Sequence, residues 1–279
     1  MPKYQYGLTE SPVLNGKQPS YARLRFRIQV SNLFYKTSRP KVSTTLTKLV
    51  AFIRWCALRI RATITQIRFS NEPEKIVSTG YDKMAADYGQ WTLNNKRPDR
   101  DKYTELLMKN VPAGSELLEL GCGPGDPTTK TLAQHYQVTA NDISEGCLKL
   151  AKENAPTAKF ILSDMTDLDF APESFNAIVA YYAFHHIPRD RYSSLLKRIH
   201  YWLKPGGYFM AALYPYDVEN LVTEDWHGST MYWSSFGEDE TRKLVTNTGL
   251  TIVKDSLESA TEDGKETTFL WILAHKNTN

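Results

Sequence analysis

With 279 residues, 41% of them hydrophobic and 23% charged, the chain has room for one good-sized α/β domain and additional segments. Its net charge of +3 is unevenly placed: residues 1–70 carry thirteen Lys or Arg against Glu10 alone, a net +12, which leaves −9 for the remainder. The three cysteines, Cys56, Cys122 and Cys147, form no C-x-x-C pair, and there is no long uncharged apolar run, which argues against a disulfide scaffold, a zinc site and a membrane-spanning helix.

Residues 1–43 show no sustained periodicity and are expected to be largely disordered. From Leu46 to Ile64 apolar residues recur at helical spacing with Lys48, Arg54, Arg59 and Arg61 off the stripe, a basic amphipathic helix. Residues 1–70 therefore form a basic, partly disordered extension, and 71–279 the main domain. The extension is open to several readings: a helix packed on the domain, a mitochondrial targeting element, or a peripheral contact with an anionic membrane through residues 46–64. A cytoplasmic location is the simplest expectation.

Beyond Asn71 the chain becomes acidic and regular. Helices are expected over 72–91 and 99–110, then strands and helices alternate. The strand "SELLEL" precedes a helix near 127–136, "QVTAND" one at 144–154, and "AKFILS" a polar loop. "FNAIVAYY", a helix at 189–203 and "YFMAALY" follow. An irregular aromatic segment, 215–236, precedes a helix at 237–247 and two closing strands. Such alternation predicts a parallel sheet with helices on both faces.

The stretch "LLELGCGPGDPT", Leu117–Thr128, places Gly121, Gly123 and Gly125 where the first strand hands over to a helix. A phosphate loop would need G-x-x-x-x-G-K, and a dinucleotide fingerprint would put its sixth position on Asp126; the spacing here is G-x-G-x-G. Glu119 at the strand end would repel a pyrophosphate and attract a cation. Asp142 ends the second strand, where an acid can accept both ribose hydroxyls, and Asp164 ends the third, within reach of an adenine amine. Together these describe a site for an adenosine with a positive, phosphate-free tail.

These blocks, with the run from Phe175 to Met210 that contains "LKPGG", resemble the class I S-adenosylmethionine-dependent methyltransferases over about residues 73–276. The resemblance implies a Rossmann-like seven-stranded sheet, mostly parallel with an antiparallel last strand. It implies S-adenosyl-L-methionine as cofactor, with Tyr88, Glu119, Gly121, Gly123, Gly125, Asp142, Ile143, Asp164, Met165 and Tyr181 as the residues around it. Tyr88 lies in "YDKMAADYGQW", which looks like the family's lid helix. The expected activity is in-line methyl transfer to a small molecule. A non-methylating binder or a cyclase on the same fold is the alternative.

An O–H or carbon-acid acceptor needs its proton removed, most simply by a histidine. "AFHHIPRD" puts His185 and His186 just after the fourth strand, and His227 is their rival. Trp226, His227, Tyr232 and Trp233 crowd the segment where the resemblance places an acceptor pocket. No metal-ligand set is evident. "AYYAFHH" stands where an Asn/Asp-Pro-Pro-Tyr/Phe motif would mark nucleic-acid amino-methylation, and the acidic core disfavours a phosphate backbone.

Overall fold

The computed structural model describes residues 72–278. The expectations for residues 1–70, including the amphipathic helix at 46–64, lie outside the described residues.

Two helices lead in, α1 (Pro73–Asn94) and α2 (Pro98–Asn110), each starting on a proline whose missing N–H would have no partner in a first turn. The alternation then runs β1 (Glu116–Leu120), α3 (Thr128–Leu132), β2 (Gln137–Asp142), α4 (Glu145–Asn154), β3 (Lys159–Leu162) and β4 (Phe175–Tyr181). A 3-10 turn at Phe184–His186, α5 (Arg189–Trp202) and β5 (Leu203–Leu213) follow. The last elements are β6 (Val218–Trp226), β7 (Ser229–Ser235), α6 (Glu238–Thr246), β8 (Leu250–Glu262) and β9 (Lys265–Lys276).

Seven strands make one sheet in the order β3-β2-β1-β4-β5-β9-β8. β1 pairs parallel with β2 and β4, while β9 runs antiparallel to β5 and β8. Strand alternation explains why the sheet is covered on both faces. Leu118 and Leu120 of β1 and Phe209, Ala211 and Leu213 of β5 pack with Leu195, Ile199 and Trp202 of α5. Leu117, Met210 and Ala212 point the other way, into a second core with Tyr103 and Leu107 of α2 and Leu148 and Ala151 of α4. Successive residues are apolar because each face needs its own. The strand order reverses between β1 and β4, which opens a crevice at their carboxyl ends.

The structure corrects two expectations. Residues 215–236 are not irregular: β6 and β7 form a two-stranded antiparallel hairpin apart from the main sheet. His227 and Gly228 have φ of 49° and 75°, the two left-handed residues that a tight hairpin loop needs. The helix expected over 127–136 covers only Thr128–Leu132, because the chain turns so that the His135 carbonyl receives the Gly114 N–H at 2.7 Å, just ahead of β2.

The hairpin and α1 together roof the crevice. Ile76, Val77, Met84 and Ala85 of α1 form a third core with Met231 and Tyr232 of β7 and Cys147 of α4. Asp82 of α1 accepts hydrogen bonds from Ser144 Oγ at 2.6 Å and Gly146 N at 2.9 Å, a carboxylate set against the positive end of α4. Among the described residues no helix is long and apolar enough to cross a membrane.

Candidate active site

The glycine turn shapes the floor of the crevice. Gly121 has φ +70°, and a Cβ there would lie 2.5 Å from Ala183 Cβ, so the turns after β1 and β4 pass only because the side chain is missing. Gly125, at φ +80°, would press a Cβ to 2.9 Å from Ala151 Cα. It seats the turn against α4 and, unlike Gly121 and Gly123, does not line the cavity. Expected beside the cofactor, it here makes its close contact with Ala151 of α4.

That cavity encloses about 950 Å³ of space, open solvent at its mouth included. Tyr88, Glu119, Gly121, Gly123, Asp142, Ile143, Asp164, Met165 and Tyr181 all lie on its wall. Asp142 accepts from Gly123 N at 2.8 Å through Oδ2 and from Ser144 N at 2.9 Å through Oδ1. Each oxygen keeps a lone pair for a further donor. Burial raises its pKa to about 6, against the pull of those N–H groups. Glu119 is more isolated: it is only 3% exposed, its Oε2 has no partner, and burial lifts its pKa to about 8. Asp164 accepts from Thr166 N at 2.7 Å and lies 3.5 Å from Arg191 Nη1.

A second cavity lies beyond the first, walled by Trp91, Tyr182, His185, Tyr214, Trp226, His227, Trp233 and Phe269. Tyr81, Tyr88, Thr92, Arg100 and Tyr182 belong to both walls, so the two cavities meet there. Tyr81 and Tyr88 are edge-to-face at 5.1 Å, and Tyr88 stacks on Trp91 at 5.5 Å.

The two histidines differ. His186 Nδ1 lies 2.9 Å from the Tyr232 carbonyl, which can only accept, so Nδ1 carries the proton. Nε2 must then accept from the Tyr81 hydroxyl at 2.8 Å. Both ring nitrogens of His186 are engaged, and burial lowers its pKa to about 4. His185 stacks on Trp233 at 5.4 Å, and its buried Nδ1 has no partner. Burial and the adjacent His186 hold its pKa well below the ordinary histidine value. Both rings are neutral at neutral pH.

Of the four residues expected around an acceptor, Trp226, His227 and Trp233 line the second cavity and Tyr232 lines neither. Tyr232 is fully buried between α1 and the hairpin, and its hydroxyl donates to Asn220 Oδ1 at 2.6 Å. Sequence reasoning missed Trp91, Arg100 and Asn141. The buried Asn141 side chain accepts from Gly121 N at 3.4 Å and donates to the Ser163 carbonyl at 2.9 Å, tying together the exits of three strands. Its signal was a polar residue at the end of an apolar strand.

A family model described as a methyltransferase domain matches residues 117–207. Over that stretch the chain resembles methyltransferase domains. A demethylmenaquinone methyltransferase of Paenarthrobacter aurescens is 31% identical over 156 residues, 53% of this chain and 60% of that protein. A trans-aconitate 2-methyltransferase of Variovorax paradoxus is 34% identical over 107 residues, 37% of this chain and 40% of its own length. The chain spans about half the length of the curated relatives it matches. Among solved structures, an S-adenosylmethionine-dependent methyltransferase from Methanosarcina mazei superposes with a TM-score of 0.55 at 22% identity, over 62% of this chain and 98% of that one. A Burkholderia thailandensis 1,6-didemethyltoxoflavin-N1-methyltransferase gives 0.52 at 21%, over 78% and 90%. The matched stretch of the methyltransferase domain holds the glycine turn, Asp142, Asp164 and both histidines. The roof of α1 and the hairpin lies outside it.

Proposed function

We propose that S-adenosyl-L-methionine occupies the first cavity and that its methyl group passes to a small molecule held in the second. The observation that carries this reading is the shared wall: two cavities of different chemistry, one polar and acid-lined, one aromatic, meet along Tyr81, Tyr88, Thr92, Arg100 and Tyr182. The first cavity suits the cofactor's parts. Asp142 has lone pairs for two ribose hydroxyls, Asp164 has capacity for an adenine amine, and the unpartnered Glu119 oxygen calls for a cation.

When bound, the cofactor supplies a methyl carbon already activated by a sulfonium. What remains for the protein is to position the acceptor, exclude water and manage a proton. Tyr81 and Tyr88 roof the junction, and an aromatic face beside a cation contributes about 1–2 kcal/mol once water is gone. The neutral His185 ring on the second cavity's wall receives the proton of an O–H acceptor, which becomes more acidic as its oxygen is alkylated. His186 holds Tyr81 and so positions the roof. Burial keeps both imidazoles uncharged, and a charged one here would repel the cofactor's positive sulfur. The relatives' names point to small acceptors such as demethylmenaquinone and trans-aconitate. The aromatic wall suits a planar or apolar ligand.

Every described residue on the two walls lies between Glu74 and Phe269. The net +12 charge of residues 1–70 supports an addressing or surface role for them, with residues 46–64 touching an anionic membrane. Calorimetry with S-adenosylhomocysteine and transfer of a labelled methyl group to a panel of small acceptors test the proposal. Product binding and labelled product are expected; a chain that does neither refutes it.

A further inference from the structure

The two edges of the main sheet are unequal. β3 ends it on one side with four residues, whereas β8 ends it on the other with thirteen, and no other described strand pairs with the outer side of β8. A long free edge is a template for a further strand. Val253 and Leu257 stand half exposed on this one, at 50% and 48%. Lys254, Ser256 and Glu258 alternate onto the side that faces α2. The Lys254 ammonium lies 5.9 Å from the centre of the Tyr103 ring, Ser256 Oγ meets the Tyr103 hydroxyl, and Glu258 pairs with Lys102 at 2.6 Å. Asp255 faces the other way and pairs with Arg242 of α6 at 2.7 Å.

On the α2 side charge is left over. Lys254 forms no ion pair among the described residues, and Glu258 receives Lys102, Tyr103 and Ser256 all on Oε1, which leaves Oε2 open. Four residues apart, or about 13 Å along the strand, the two cannot meet each other. A second copy of β8 laid antiparallel, with a two-fold axis at Ser256, brings Lys254 of each copy opposite Glu258 of the other. Directly opposed residues share a face, so both pairs form on the α2 side, while on the other face the two Leu257 side chains become diagonal neighbours. Charges on an edge ordinarily keep other strands away. Here a shift of two residues either way sets each charge opposite an uncharged residue, so the charges select one register. The bulge between Ile252 and Lys254 bounds the paired stretch.

We propose that this edge is a self-association surface, on which two copies of the chain join their sheets β8 to β8 through reciprocal Lys254–Glu258 pairs. The inference is independent of what the cavities bind.

Sedimentation equilibrium of the full chain, from micromolar to submillimolar concentration, tests it. Wild type should pass from monomer to dimer. Lys254→Glu and Glu258→Lys, each with circular dichroism matching wild type, should weaken the dimer about tenfold or more, because two attractions become two repulsions. An equal mixture of the two variants should regain wild-type association, since the two new charges then face each other and the two native ones do likewise. Amide exchange of wild type across residues 254–258 should slow as concentration rises, a readout that needs no variant to fold. A wild-type chain that stays monomeric, a dimer indifferent to either substitution, a mixture no tighter than its components, or exchange independent of concentration overturns the proposal.

Discussion

Replacing Glu119 with Gln should separate two quantities that usually fall together: binding should weaken while stability does not. Burial holds the Glu119 pKa near 8, so at pH 7 only about a tenth of the chains carry the charge that a cationic ligand needs. S-adenosylhomocysteine, whose ammonium supplies that cation, should therefore bind wild type about tenfold more weakly for each pH unit below 8, or ~1.4 kcal/mol per unit. The Gln variant should bind at the low-pH limit of wild type and show no slope. Asp142, near pH 6, leaves the window from pH 6.5 to 8.5 to Glu119. Stability runs the other way. The folded pKa lies above the unfolded value of 4.5, so the unliganded fold binds the proton more tightly and loses stability as pH rises from there through 8. Glu119→Gln escapes that loss and should melt no lower than wild type at pH 8. Calorimetry across the window and thermal melting at its upper end make the comparison. A flat wild-type affinity, or a Gln variant with the same slope, would refute the reasoning.

Asp142→Ala should weaken S-adenosylhomocysteine by about 2 kcal/mol and also lower the melting temperature, because Gly123 N–H and Ser144 N–H both lose their acceptor; unchanged affinity in a folded variant would remove Asp142 from the site. His185→Ala should cut turnover of an O–H acceptor while leaving S-adenosylhomocysteine affinity near wild type, and full turnover in that variant would move the proton elsewhere. His186→Ala should instead cost about 1–3 kcal/mol in urea denaturation, since it strands the Tyr81 hydroxyl and the Tyr232 carbonyl. A chain beginning at Asn71 should bind S-adenosylhomocysteine and methylate within a few-fold of full length but lose any salt-sensitive affinity for anionic vesicles; an insoluble or inactive product would place the first seventy residues in the fold.

Sequence reasoning succeeded where the physics is periodic or local. Two buried faces force apolar residues on both sides of β1 at Leu117 and Leu118 and of β5 from Phe209 to Leu213, and that reads directly as central strands. Acids at the ends of β2 and β3 are legible because in an open parallel sheet the ligand side is always the carboxyl end. Failure came where partners are remote in the chain. Gly125 and Tyr232 have the right types for a ligand site, yet Gly125 answers to Ala151 and Tyr232 to Asn220. The hairpin was hidden because its turn is His-Gly where Asn-Gly is the strong signal, and His227 accepts a left-handed φ of 49° all the same. Trp91 closes the expected lid helix without being singled out in it, and Arg100 gave no signal, because α2 brings it to the cavities from outside every motif.

The adjacent histidines show how a local geometry decides between two roles that composition leaves equal. Phe184–His186 is a 3-10 turn, in which successive side chains diverge by roughly 120°. Both rings touch Trp233, yet their nitrogens meet different surroundings. His186 lines the first cavity and is taken up by Tyr81 and the Tyr232 carbonyl; His185 lines the aromatic chamber, and no hydrogen bond holds its buried Nδ1. The engaged ring cannot take an acceptor's proton without breaking the hydrogen bond that holds the roof in place. The free ring can, and it lies on the wall where an acceptor would stand. Any exchange of the pair, such as a one-residue insertion before Phe184, should therefore abolish turnover even though both histidines remain, whereas an insertion in the exposed loop at 171–174 should not.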